Sequence, residues 1–189
     1  ISVNPQSLNE QVIKSIGRSH SIDEFYRAFE IAKNSGIKCI NTDLIAGLPG
    51  DTFAGFTKTV DAILKLSPDN VTVHTFCVKK AADILRYNSD IYSRGGGDTP
   101  KSVSYAFVKS KNAGYLPYYI YRQKNTIDNL ENVGYAKKGY ESIYNSAIME
   151  EVQTVLACGA GASSKIVKKD FLDRVYNIKD AFSYIRDID

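Results

Sequence analysis

Two hydrophobic rhythms alternate along the first half of this chain, one spaced three to four residues apart and one of short apolar runs. Ile1-Ser2-Val3 reads as the last residues of a strand, followed by Asn4-Pro5-Gln6. Across residues 7–16, Leu8, Val12 and Ile16 stand at helical spacing, and Gly17-Arg18 turns the chain. Ser21 opens a second helix as its N-cap, with Glu24 three residues on completing a capping box. Ile22, Phe25, Phe29 and Ala32 form its buried stripe, and Gly36 supplies the stop. Residues 37–45 make the next strand; Ile40, Leu44 and Ile45 do not alternate cleanly, which predicts cover on both faces. Asp51 or Thr52 caps a third helix that buries Phe53, Phe56, Val60, Ile63 and Leu64. Pro68 ends that connection, and residues 71–76 form a third strand.

Strand, helix, strand, helix, strand implies right-handed crossovers and a parallel sheet, so the fold class is α/β. A barrel segment and an open sheet both fit. The stretch Asn41-Thr42-Asp43-Leu44-Ile45-Ala46-Gly47-Leu48-Pro49-Gly50 places one carboxylate where the strand should run out into a glycine-proline turn. In parallel α/β proteins, ligand sites lie beyond the carboxyl ends of the strands.

The second half changes character. Residues 93–98 read as a loop, and Thr99-Pro100 starts a helix carrying Val103, Phe107 and Val108 and ending at Gly114. Residues 115–123 read as a tyrosine-rich strand, residues 125–129 as a polar loop, and Val133-Gly134-Tyr135 follows. Periodicity leaves residues 148–156 helical or extended. A tight turn at residues 158–164, a short strand at Lys165-Ile166-Val167 and a helix over residues 181–185 close the reading. The expected organisation is residues 1–80 as the C-terminal portion of a barrel and 81–189 as a smaller α+β region.

Composition narrows the class. At 189 residues and 43% hydrophobic, the chain can bury a core. A net charge of +3 is too small to argue for nucleic acid. Cys39, Cys77 and Cys158 are odd in number and widely spaced, as in a reduced, cytoplasmic protein, and no run approaches the roughly 20 apolar residues that cross a bilayer. The expectation is a cytoplasmic protein with neither membrane nor nucleic acid as partner.

Three groups could carry chemistry. Gln6, Arg18 and Asp43 fall near strand ends or the connections between them, and together offer an amide, a guanidinium and a carboxylate. An amino-acid-bearing nucleoside uses all three; the alternative is a surface arginine and a satisfied loop cap. Gly159-Ala160-Gly161 lacks the third glycine of a dinucleotide fingerprint, and a structural turn is the simpler reading. Tyr115-Leu116-Pro117-Tyr118-Tyr119-Ile120-Tyr121-Arg122-Gln123-Lys124 suits either a core strand or a stacking platform, with Arg122 and Lys124 as anion contacts.

Resemblance adds what spacing does not. Ile1-Ser2-Val3-Asn4-Pro5-Gln6, Gly17-Arg18-Ser19-His20-Ser21 and Asp43-Leu44-Ile45-Ala46-Gly47-Leu48-Pro49-Gly50 resemble the oxygen-independent coproporphyrinogen III oxidases, which are radical S-adenosylmethionine proteins. Pro117-Tyr118-Tyr119-Ile120-Tyr121-Arg122-Gln123-Lys124-Asn125, Asn129-Leu130-Glu131-Asn132-Val133-Gly134-Tyr135 and Ile148-Met149-Glu150-Glu151 resemble its coproporphyrinogen dehydrogenase branch. The resemblance implies a partial (β/α) barrel. Position by position, Gln6, Arg18, Asp43 and Cys77 fall where family members contact S-adenosylmethionine. It also implies a 4Fe-4S cluster on an upstream CxxxCxxC loop that these residues do not contain, so the chain reads as a C-terminal fragment, inactive by itself. Ser163 replaces the histidine usual before the family's serine, and no role is carried to it.

The implied reaction is oxidative decarboxylation of coproporphyrinogen III to protoporphyrinogen IX in anaerobic haem biosynthesis. A deoxyadenosyl radical would take hydrogen from the propionate side chains of that small-molecule porphyrinogen. The alternative is a haem-binding chaperone of the same family without oxidase activity. The electron donor is not identified. A partial barrel would also leave an open sheet edge, which invites self-association or displacement of the first strand.

Overall fold

Asn41–Ala46 (β1), Asn70–Thr75 (β2), Leu116–Tyr121 (β3) and Asn132–Ala136 (β4) join in one sheet, in the order β1-β2-β4-β3. The structure, a computed structural model, describes residues 1–77, 97–169 and 171–187. These divide into two compact units, Ile1–Glu141 and Ser142–Asp189. The expected boundary after residue 80 lies outside the described residues, as does most of the expected loop at 93–98.

β1 and β2 are parallel, and β4 runs antiparallel to both β2 and β3. Residues 1–6 extend β1 on its other side. Val3 N donates to Asn41 O at 2.9 Å and Asn41 N to Ile1 O at 2.8 Å; after the Asn4-Pro5 kink, Gln6 pairs with Leu44. The first segment is therefore paired, not displaced.

Local chemistry accounts for the helices. Asn9 caps Glu10–Ser15 (α1), which starts later than the spacing of Leu8 predicts and buries Val12 and Ile13. Asn9 supplies the side-chain acceptor that the first free amides of a helix require. Ile22–Asn34 (α2) has the capping box expected of Ser21 and Glu24, and buries Phe25, Phe29 and Ala32. Phe53–Leu66 (α3) is capped by Thr52 and ends at Ser67, a left-handed residue.

Thr99–Asn112 (α4) differs from the expected face. It buries Thr99, Ser102, Ala106 and Ser110, while Phe107 and Val108 are exposed. Small side chains let this helix approach closely: a Cβ added at Gly47 would lie 2.7 Å from Thr99 Oγ1. α4 is pinned to α3 by Tyr105 Oη, which donates to Asp61, and by Lys109, 3.0 Å from Asp61.

The core joins α2, α3 and α4 to one face of the sheet, through Phe29, Phe56 and Ala106 from the helices and Leu44, Val73 and Tyr135 from the strands. Fully burying a side chain of the leucine or phenylalanine class contributes roughly 1.5–3 kcal/mol. β1 alternates, contrary to the expected cover on both faces: Thr42, Leu44 and Ala46 are buried, whereas Asn41, Asp43 and Ile45 are half-buried. The second face carries Asn41, Asp43 and Ile45. The tyrosine-rich strand is likewise not a core strand; Leu116 and Ile120 are more than half exposed, and Tyr119 and Tyr121 lie half-buried.

Residues 142–187 form the second unit. Ile143–Met149 (α5) precedes a hairpin of Ser163–Val167 (β5) and Leu172–Tyr176 (β6), and Ala181–Arg186 (α6) follows. The undecided stretch 148–156 is both things in turn: helix to Met149, then a left-handed Glu151 and an extended bridge from Val155 to Lys165. None of this unit's described residues is fully buried, as expected of a piece too small to enclose a core. Glu151 gathers Lys165 at 3.1 Å and Arg174 at 2.9 Å.

One glycine decides the shape of the polar face. Thr72, Gly134 and Tyr119 are successive partners across β2, β4 and β3, and a Cβ built on Gly134 would overlap the Tyr119 ring. Gly134 thus lets the ring lie over β4 and reach Thr72. Gly134→Ala is expected to lower stability by about 1–3 kcal/mol, the usual cost of overpacking. Burial pushes the Tyr119 phenol up to about 12, so an ultraviolet titration of the variant should also show one tyrosine ionising closer to the ordinary value.

Candidate active site

Asp43 stands mid-strand on the polar face of β1, not at the strand end that the sequence suggests. A half-buried carboxylate there must recover the hydration it loses. Asn4 and Asn41 do this: Asn4 Nδ2 donates to Asp43 Oδ2 at 3.0 Å and Asn41 Nδ2 to Oδ1 at 2.7 Å. Asn4 Oδ1 also accepts from the Asp43 backbone at 3.0 Å, tying the first segment to β1 by side chain as well as main chain. Thr72 Oγ1 donates to Asn41 Oδ1 at 3.3 Å and lies 3.3 Å from Tyr119 Oη.

His74, two residues along β2 from Thr72, completes the row. Its Nε2 is 3.7 Å from Asp43 Oδ2 and its Nδ1 is 3.3 Å from Tyr121 Oη. At 3.7 Å the imidazole faces the carboxylate from just beyond hydrogen-bond distance. Burial pushes the Asp43 carboxyl up, but His74 and Asn41 outweigh it and hold the group below its ordinary range. Tyr121 is raised by burial and then by the Asp43 charge.

The expected site residues are only partly assembled. Gln6 is buried beside Leu44 with a positive φ of 66°, and its Oε1 has no partner. A non-glycine residue in that region is strained by roughly 1–2 kcal/mol. Cys77 follows the end of β2, where Sγ donates to Lys124 O at 3.1 Å. Gln6, Asp43 and Cys77 therefore belong to adjoining segments of one sheet. Arg18 is exposed after α1, and no described contact draws it to them. Arg122, an expected anion contact, is already paired with Glu131.

Sequence reasoning missed Asn4, Asn41, Thr72, His74 and Tyr121 as site residues. The signal was there: Asn41 and Asp43, then Thr72 and His74, are polar at a spacing of two within apolar strands, which marks one face. At the glycine turn, the amides of Gly159, Gly161 and Ala162 donate to Tyr184 Oη, Ile178 O and Gly159 O, so they cradle no anion.

A cavity of about 210 Å³ lies beyond β1, lined by Gly47, Pro49, Asp51, Thr52, Phe76 and Thr99 among others. That is below the roughly 300–1,000 Å³ typical of ligand pockets. Asp51 Oδ2 is buried there without a partner, and burial raises its carboxyl despite the Thr52 amide.

The fold and site now meet the comparisons with known proteins. Residues 1–63 match the family model described as Radical SAM superfamily. The chain is 41% identical, over 97% of its length, to the oxygen-independent coproporphyrinogen-III oxidase-like protein HemZ of Bacillus subtilis, and spans 37% of that protein. It is 26% identical over 88% of its length to the heme chaperone HemW of the same organism, and spans 41% of it. The fold matches the radical SAM enzyme coproporphyrinogen III oxidase (HemN) of Escherichia coli with a TM-score of 0.68 at 19% identity, covering 99% of this chain and 42% of that one. The resemblance to the coproporphyrinogen oxidase-like proteins thus extends over nearly the whole chain, which spans well under half of each of these relatives. No helix among the described residues is long and apolar enough to cross a membrane.

The radical SAM family implies S-adenosylmethionine and a 4Fe-4S cluster. Gln6 fits the first, as a buried acceptor with no donor among the described residues, and Asp43 fits it as a carboxylate with lone pairs left for hydroxyls. Among the described residues no group of three or more histidine, cysteine or acidic side chains could hold a metal ion.

The two aspartates should respond oppositely to pH. Asp43, held below the ordinary 3.8, contributes stability that is complete above its unfolded value and is lost as pH falls through its folded one. Asp51 is raised, so its contribution falls as pH rises from 3.8 through its folded value. In urea unfolding at pH 7, Asp43→Asn should lose about 1.5–3 kcal/mol, the scale of hydrogen bonds to a charged group, and Asp51→Asn should lose nothing or gain.

Proposed function

We propose that this chain forms the wall of a radical SAM barrel that orients S-adenosylmethionine, in a protein that oxidatively decarboxylates coproporphyrinogen III to protoporphyrinogen IX. The observation that carries this reading is the polar sheet face, where Asp43 is fixed by two asparagines next to a buried, unpartnered Gln6 acceptor. Gln6 Oε1 accepts from the ammonium of the methionine part. Asp43 accepts from the ribose hydroxyls. Arg18 folds onto the ligand carboxylate from its exposed turn, and Cys77, at the end of β2, closes the far side. When bound, S-adenosylmethionine supplies a one-electron route for removing hydrogen from an unactivated carbon. The chain's residues bind and orient; they move no proton in that step.

The substrate is supported by the 41% identity to an oxidase-like protein and by the resemblance in the segments from Pro117 to Asn125 and from Asn129 to Tyr135. A second reading, a haem-binding chaperone, is supported by the similarity to HemW over 88% of the chain. Anaerobic incubation of the whole, cluster-reconstituted protein with S-adenosylmethionine, an electron donor and coproporphyrinogen III separates them. Protoporphyrinogen, carbon dioxide and 5′-deoxyadenosine are expected. Stoichiometric haem binding with no turnover would transfer the assignment to the chaperone.

A further inference from the structure

His74 lies between two acidic groups, and the orienting roles of Gln6 and Asp43 do not call for it. Asp43 faces it from β1, Tyr121 from β3, and Tyr119 is the next phenol along the same face of β3. Among the described residues, His74 is the only basic side chain within 4.0 Å of the Asp43 carboxylate. The His74 and Tyr121 rings meet edge to face, 6.4 Å apart at 73°.

The chemistry of the three groups fixes where the protons go. A neutral imidazole donates from one nitrogen and accepts at the other, an ionised carboxylate only accepts, and a phenol does either. With the imidazole neutral, an Nε2–H facing Asp43 leaves Nδ1 to accept from Tyr121 Oη. Tyr121 has then committed its hydrogen to the imidazole and keeps its oxygen lone pairs for a ligand. Asp43 likewise keeps lone pairs beyond those used by Asn4 and Asn41.

We propose that His74 is a positioning residue that locks Asp43 and Tyr121 as a pair of oriented acceptors for the hydroxyl groups of a nucleoside lying on the polar face. This rests on the reading of that face as a nucleoside site. Asn132 supplies a further mark of a ligand. It is the cross-strand partner of Tyr121, is fully buried, and its Nδ2 has no partner although its Oδ1 accepts from Thr75 N at 2.7 Å. A donor left over beside two acceptors suits a ligand that both donates and accepts, as a ribosyl base does. The Tyr119 and Tyr121 rings, stacked at 11° with centroids 6.1 Å apart, offer the flat surface beside it.

Two measurements on the intact chain test the proposal. Imidazole nitrogen-15 NMR should show His74 as the Nε2–H tautomer, with its Nε2 resonance moved by Asp43→Asn and its Nδ1 resonance moved by Tyr121→Phe. An Nδ1–H tautomer, or resonances indifferent to both substitutions, overturns the arrangement. Calorimetric titration with S-adenosylmethionine should show His74→Gln binding about tenfold or more weakly, the scale of a lost hydrogen bond to a charged group. Tyr121→Phe, which removes one hydroxyl, should weaken binding less. Parental affinity in both variants overturns the positioning role. A parent chain that binds no S-adenosylmethionine at any pH overturns the nucleoside reading alone, and the imidazole spectrum still decides the arrangement.

Discussion

A carboxylate placed in the middle of a strand governs this structure. Asp43 sits one residue from the fully buried Thr42 and Leu44, on a strand whose other face closes the core. Its charge must be compensated on the spot, and Asn4, Asn41 and His74 supply the compensation. That requirement brings the first segment against β1, fixes what β2 presents beside it, and leaves the row Asn4, Asp43, Thr72 and Tyr119 crossing the sheet.

The division of the sheet into unlike faces follows. On the helix side, Leu44, Val73 and Tyr135 pack beneath Phe29, Phe56 and Ala106, and α4 comes close because it offers serine, threonine and alanine. On the other side, polar groups satisfy one another across strands, and where space is short a glycine gives way to a tyrosine ring. Of the buried polar atoms without a partner among the described residues, Gln6 Oε1 and Asn132 Nδ2 belong to residues paired with the strands that bear this row. Leaving such an atom unpaired costs about 1–3 kcal/mol, and on the proposed reading a ligand would offset that cost at these two.

Much of this was legible in the sequence, for local reasons. Ser21 and Glu24 define the start of α2 because both halves of a capping box lie within four residues. The strands and helices up to Thr75 follow from spacing. What failed was non-local. The face of α4 was misassigned because Phe107 and Val108 look like core, whereas the closeness of Gly47 selects small residues. The tyrosine run suits either a core strand or a stacking platform by sequence alone, and in the fold it is an edge whose rings turn toward Thr72 and His74. His74 was passed over because its partners are 31 and 47 residues away along the chain.

The central claim is that the polar face, and not the cavity beyond β1, receives the nucleoside. Amide and side-chain NMR of the chain during addition of S-adenosylmethionine tests it most directly. The account predicts shift changes concentrated at Gln6, Asn41, Asp43, His74, Tyr121 and Asn132. Changes confined to the residues from Gly47 to Thr52 and around Thr99, with the polar row unmoved, would contradict it.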